Sequence, residues 1–345
     1  MRRGEKMLNT DNNIMLHEAK KAKHKPHIIL QILIFIAVFL VANITTGIIF
    51  GIPIGIMLFK NIEFSSLDLN SYTLAISSLI SELPEWSQSL TLFSTIITTF
   101  FAILYCRCIE QRSLVSMGMG KTGFFKKYGI GYLVGVLMIG VAIGLSVLLG
   151  GARFTGFNAG VSPVYIMLFF LGFIVQGMSE EVMVRGYFMI SCANKIHIAA
   201  AVLISSAVFA ALHLLNPGIT VIAFINLMLF GIFAAVYILR TDDIWGACAI
   251  HSAWNFFQGN IFGISVSGGG AGSSVFGTAF NEGHELISGG SFGIEGGICT
   301  TIVMTAGIIL TLYLPQKPKA AILQDENDLD GVGAVHEPLP LYIKK

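Results

Sequence analysis

An all-α membrane protein with about eight transmembrane helices is the fold class that this sequence predicts, on three observations. Hydrophobic residues fill 54% of the 345 positions and charged residues only 12%, with a mean hydropathy of +0.76, which is too apolar for a soluble domain of this size. The apolar residues are gathered in runs close to the roughly twenty needed to cross a bilayer. The Lys and Arg residues collect in alternate connections, as they do in polytopic membrane proteins.

The runs are, in order, 28–58, 87–106, 128–151, 162–190, 197–215, 218–240, 244–264 and 294–314. The first follows a basic head, residues 1–27, and is too long for the apolar core of a signal peptide, so it is expected to remain in the mature protein. The fourth is interrupted by two adjacent carboxylates. Seven basic residues precede the first run (Arg2, Arg3, Lys6, Lys20, Lys21, Lys23, Lys25) and five lie between the second and third (Arg107, Arg112, Lys121, Lys126, Lys127). Both segments are therefore expected in the cytoplasm. Eight spans also place the C-terminal tail there, and leave only Lys60 and Arg153 in external loops.

This gives a basic cytoplasmic tail over 1–27, two accessory helices and a cytoplasmic loop over 28–127, and a core over 128–264. A Gly/Ser-rich external loop over 265–293, a last helix over 294–314 and a solvated tail over 315–345 complete the chain. The stretch "SVSGGGAGSSVFG" reads as a flexible connector, and "QDENDLDGVGAVHEPLP" as disordered. No internal repeat points to an inverted-repeat transporter.

Several motif-like strings carry no chemistry. "MGMGKTG" ends like a phosphate loop, but Val115 stands where the first glycine belongs and no strand precedes it, so no nucleotide is expected. His17, His284 and His336 each precede a glutamate without a second histidine at metalloprotease spacing. Five cysteines form no CxxC pair and read as free thiols, with Cys106 and Cys108 near a membrane boundary. A net charge of +1 calls for no nucleic acid.

Chemistry is concentrated in "FFLGFIVQGMSEEVMVRGYFMI". Each ionised group at bilayer depth costs about 2.5 to 3.5 kcal/mol on insertion scales, so Glu180, Glu181 and Arg185 need partners. Glu181 and Arg185 stand at i and i+4 and can pair on one face. Glu180 points about 100° away, on the stripe of Gln176, and is left for another task. "FAALH" sets Phe209 and His213 on one face of a following helix, and "HSAWN" does the same for His251 and Asn255. If the three patches converge, they join a carboxylate, two imidazoles and a carboxamide in an apolar cavity, an inventory suited to activating water and stabilising an oxyanion. A hairpin near residue 197 would bring Glu180 and His213 to similar heights. The cavity is expected to open toward the cytoplasm. Trp254 and Asn216 read as packing and helix-end residues.

With "EEVMVR", "FAALH" and "HSAWN" in this order, the stretch from about 162 to 264 resembles the CAAX protease and bacteriocin-processing (CPBP, formerly Abi) family of intramembrane glutamic endopeptidases, relatives of the type II CAAX prenyl endopeptidase. "RSLVSMGMG" also looks like the short loop that precedes that core. The resemblance implies an all-helical membrane peptidase without a cofactor, acting on a membrane-associated peptide or protein. In it Glu180 is the general base, assisted by His213. His251 and Asn255 stabilise the oxyanion, and Glu181 and Arg185 tune the electrostatics. Phe209 either shields His213 or simply packs. A second version makes Glu180, His213 and His251 the ligands of a zinc ion. Two rival functions stay open: a non-catalytic membrane immunity or scaffold protein of the same fold, and a transporter with Glu180 as proton carrier.

Overall fold

The computed structural model describes residues 13–59, 84–270 and 272–314. Expectations for residues 1–12, 60–83 and 315–345 lie outside the described residues. The elements are α1 (Ile14–Lys20), α2 (Ile28–Thr46), α3 (Ile52–Phe59), α4 (Glu85–Ser94), α5 (Ile96–Leu104), α6 (Phe124–Leu148), β1 (Ala152–Phe157), α7 (Pro163–Glu181), α8 (Ile190–Ala193), α9 (Ile198–Ala211), α10 (Val221–Thr241), α11 (Trp245–Phe256), β2 (Phe276–Phe280), α12 (Glu285–Ser288) and α13 (Ile298–Leu312). π-Helical turns extend α2, α5, α7 and α11.

Five of these helices, counted with their continuations, are long and apolar enough to cross a membrane: Ile28–Ile56, Glu85–Glu110, Phe124–Leu148, Pro163–Ala193 and Val221–Thr241. The other three expected spans are shorter helices. At 1.5 Å per residue, α9 and α13 reach only about 21–23 Å. α9 stops at Ala211 because residues 212–218 turn back over the bundle. Helix length alone therefore carries five of the eight spans.

Large apolar side chains face outward, among them Ile29, Leu33 and Ile36 of α2 and Leu133, Leu137 and Val141 of α6, whereas Glu110, Arg112, Glu181 and Arg185 are buried. In water such a surface would drive aggregation; against lipid tails it is at no disadvantage, and packing together with internal hydrogen bonds holds the helices together. α11 lies between α6 and α7, and α10 packs against α9 and α13. Small residues set the approach of α11. A Cβ on Gly135 of α6 would stand 2.6 Å from the Ile250 carbonyl oxygen, and one on Gly177 of α7 would stand 2.6 Å from Ser252 Oγ. Glycine is needed at both crossings.

Two caps close the bundle. At one end, the segment read from sequence as part of a basic tail folds as α1. Asn13 caps it by accepting the Leu16 N–H (2.9 Å), and the Asp242 carboxylate accepts the N–H groups of Ile14 (2.9 Å) and Met15 (3.2 Å). The carboxylate thus meets a helix N-terminus, where negative charge is favoured. Lys127 pairs with Asp243 (3.5 Å), and Trp245 Nε1 donates to the Gly120 carbonyl (2.7 Å). At the other end, β1 and β2 form an antiparallel ribbon with an irregularity between Phe154 and Gly156.

The Gly-rich stretch is built structure rather than a loose connector. Gly268, Gly272, Gly289 and Gly293 adopt positive φ, a conformation that glycine enters without steric cost. Glu295 ties the stretch down by accepting from the backbone N–H (2.6 Å) and hydroxyl (2.9 Å) of Ser267.

Gly135→Ala should cost about 1–3 kcal/mol through overpacking. Gly140→Ala, on the same helix where an added Cβ meets nothing within 4 Å, should be near neutral. Thermal unfolding of the two variants in detergent provides the comparison.

Candidate active site

α7 carries two carboxylates that part company. Arg185 Nη1 donates to Glu181 Oε1 at 3.1 Å, with both side chains fully buried. The guanidinium also lies 4.3 Å above the Phe209 ring, a cation–π contact strengthened by the dry surroundings. Phe209 is thus packed under Arg185 as well as against His213, their ring centroids 4.8 Å apart.

Arg185 belongs to the π-helical stretch Val182–Met189. Such turns leave carbonyls poorly satisfied and recur at functional sites. Here a second buried arginine completes them: Arg112 Nη2 donates to the carbonyls of Gly186 (3.1 Å) and Tyr187 (3.2 Å), while its Nε pairs with Glu110 Oε2 (2.6 Å). The sequence marked "RSLVSMGMG" as a loop of interest, but not Arg112 as the group that braces the helix after Glu181.

α11 inserts His251 between the two carboxylates. Its Nδ1–H donates to Glu181 Oε1 (2.9 Å), and its Nε2 faces Glu180 Oε2 at 3.7 Å, just beyond direct hydrogen-bond reach. Phe230 stands edge-on to the ring at 4.8 Å. Among the described residues the histidine within 4 Å of Glu180 is thus His251.

Glu180 is also held from its own helix. Gln176 Nε2 donates to Glu180 Oε1, and Asn255 Nδ2 donates to Gln176 Oε1 (3.0 Å). One amide N–H of Asn255 is used in this chain, which leaves the other for a ligand. The Glu180 side chain is 29% exposed, against 0% for Glu181.

His213 falls past the end of α9, in the turn rather than on the helix face. Its Nδ1–H donates to the Phe209 carbonyl (2.8 Å), so in the neutral ring Nε2 carries the lone pair.

Glu180, His213, His251 and Asn255 all line one cavity of about 740 Å³. Its walls are otherwise largely apolar, with Phe169, Phe173, Leu227 and Phe230 prominent. Trp254 and Asn216 line it too. Asn216 ties the turn to the Gly-rich stretch through Ser267 (2.8 Å), and the buried indole Nε1–H of Trp254 has no acceptor among the described residues.

Sequence reasoning missed Glu295. It lines the same cavity and receives a bond from Gln258 Nε2 (3.3 Å) besides those from Ser267. It sits in the loop ahead of α13, where burial raises its carboxyl above the ordinary range against the lowering effect of the Ser267 bonds and of nearby His213. A lone carboxylate at the edge of an apolar run, "GIEGGICTT", was the available signal.

The cavity has a direction within the bundle. It is lined by the starts of α4 and α10, the turn after α9 and the Gly-rich stretch, and by none of the residues around Lys195, Asp242 or Lys127. Glu180 and His251 lie midway along their helices, but the space beside them extends toward the cap away from the basic residues.

Among the described residues no three His, Cys, Asp or Glu side chains stand close enough to hold one metal ion. Glu180, His213 and His251 line the same cavity but do not form such a group.

The two carboxylates should respond differently to substitution. Arg185→Met removes the arginine from buried Glu181, leaving it only the His251 bond, and should cost about 3 kcal/mol or more. Glu180→Gln, at a partly exposed site that keeps its shape, should change stability by less than about 1 kcal/mol. Unfolding of both variants in the same detergent tests the difference.

Residues 162–257 match the family model described as type II CAAX prenyl endopeptidase Rce1-like. No curated protein and no solved structure matches the chain. The matched segment holds Glu180, Glu181, Arg185, Phe209, His213, His251 and Asn255, and with the apolar helices it marks a membrane protein. The resemblance to the CPBP family seen in the sequence thus stands, carried by an Rce1-like core over residues 162–257.

Proposed function

We propose that the protein is an intramembrane endopeptidase that hydrolyses a peptide bond with water activated by Glu180. The observation that carries this reading is the partition of the carboxylates: Arg185 is spent on Glu181, while Glu180 faces a 740 Å³ cavity beside two histidines and an asparagine. A general base must reach its proton directly or through one water, and the cavity that Glu180 faces has room for that water.

In this reading Glu180 takes a proton as the water oxygen attacks the carbonyl carbon. His213, with its Nε2 lone pair, assists. The charge that develops on the carbonyl oxygen is met by the second N–H of Asn255 and by Nε2–H of protonated His251. Glu181 bears directly on that state, because a carboxylate on Nδ1 orients the ring and stabilises its imidazolium form, as in hydrolytic triads. With Glu180 and Glu181 ionised, and Arg185 and His251 protonated, the buried cluster is neutral. The proton held by Glu180 then passes to the leaving amine as the C–N bond breaks. Preorganised donors of this kind act most strongly where water is excluded.

The protein is expected to act without a metal. A stoichiometric zinc in the purified protein that disappears in His213→Ala would overturn that version. The rival reading as an immunity or scaffold protein keeps the fold and drops the chemistry; its weakness is the retention of costly buried charge.

Membrane-protein termini compared between cells carrying the wild type and Glu180→Gln at equal abundance test the reading. New termini are expected with the wild type only, and the variant should lose about 10²–10⁴-fold in rate on a substrate so identified. Indistinguishable termini would favour the binding role.

A further inference from the structure

The caps of the bundle differ in charge, and the cavity belongs to one of them. Lys20, Lys21, Lys23 and Lys25 follow or end α1; Lys121 and Lys127 flank the start of α6; Lys195 follows α8. Contacts bring these segments together: Ser113 donates to Glu18 (2.9 Å), Lys127 pairs with Asp243, and α1 is capped by Asp242. The opposite cap, made of the β-ribbon, the turn after α9 and residues 263–297, holds one described cation, Arg153, against Glu282, Glu285 and Glu295. An excess of Lys and Arg close to helix ends marks the cytoplasmic side, and acidic residues count little.

Of the cavity's exposed lining residues, Pro217, Gly269 and Gly270 lie on the second cap and Thr91 lies on α4. The charge of the lining is one-sided. Among the described residues Glu180 and Glu295 line it, and no lysine or arginine does. Arg185 is fully buried with its guanidinium behind Phe209. A substrate's terminal carboxylate would therefore meet like charge with no lysine or arginine to pair with, the His251 imidazolium being already offset by Glu181, a juxtaposition that disfavours binding.

Building on the peptidase reading, we infer that the substrate enters from the non-cytoplasmic face as an internal stretch of an exported or membrane-anchored polypeptide, rather than as the free C-terminal end of a cytoplasmic chain. The apolar walls take its uncharged side chains. The carboxylates tolerate neutral or cationic residues near the scissile bond.

Thiol labelling of intact cells with a membrane-impermeant maleimide tests the sidedness without any need for activity. Cys108 is the exposed native thiol and lies at the basic end, the other four cysteines being buried. Gly270→Cys and Gly160→Cys, each made with Cys108→Ser, place reporters on the second cap, where an added Cβ meets nothing within 4 Å. Both reporters should label in intact cells, and native Cys108 only after permeabilisation. The reverse pattern, from either reporter, overturns the inference while leaving the peptidase reading intact.

For the charge argument, a peptide spanning a wild-type-dependent terminus is offered to the purified protein, ending three residues past the cut as a carboxylate or as an amide. The amide should be cleaved with a kcat/KM about tenfold higher or more, by like-charge repulsion. Equal cleavage, or a preference for the carboxylate, would sink that part of the substrate assignment.

Discussion

An ionised carboxylate in an apolar interior must be neutralised where it stands, and the Glu181–Arg185 pair does this within one helix. Much of the candidate site depends on it. Burying two opposite charges is costly and does not by itself argue for stability. What the pair provides is an electrostatic anchor. It holds His251 by Nδ1, faces Phe209 with the guanidinium, and leaves Glu180 as the α7 carboxylate with access to the cavity. The neighbouring carboxylates thus have different environments because one is paired with an arginine and the other is not.

The anchor needs a scaffold that brings α7 and α11 close enough for a 2.9 Å contact. Glycines at their crossing permit it, and the same device brings α6 against the other side of α11. The π-helical stretch after Glu181 would be a weak point if its carbonyls were left unsatisfied. Arg112 supplies the missing donors from a loop some seventy residues earlier. A buried arginine far from the cavity therefore bears on the position of the groups in it.

The cap over the cavity shows how irregular backbone survives next to a membrane bundle. Non-helical chain at such depth needs its polar groups satisfied by protein. Residues 263–297 meet this through Glu295, whose carboxylate accepts from Ser267, and through Asn226, which donates to the carbonyls of Glu295 (2.7 Å) and Gly297 (2.9 Å). What reads as a slack glycine linker in one dimension is a fastened rim in three.

The sequence by itself determined the class and singled out Glu180, His213, His251 and Asn255, which the fold brings to one cavity. Composition and long apolar runs point to a helical membrane protein. The i, i+4 spacing of Glu181 and Arg185 sets their pairing, because contacts within one helix follow from its pitch alone. The same logic put Gln176 beside Glu180. Only tertiary structure decided which histidine faces Glu180, since helix periodicity says nothing about how separate helices rotate against each other. It also decided that α9 ends before His213, that Arg112 reaches α7, that Glu295 joins the cavity and that this cavity opens toward the less basic cap. Each of these is a contact between segments distant in the chain, made by packing and by the need to satisfy buried polar groups, neither of which a local pattern encodes.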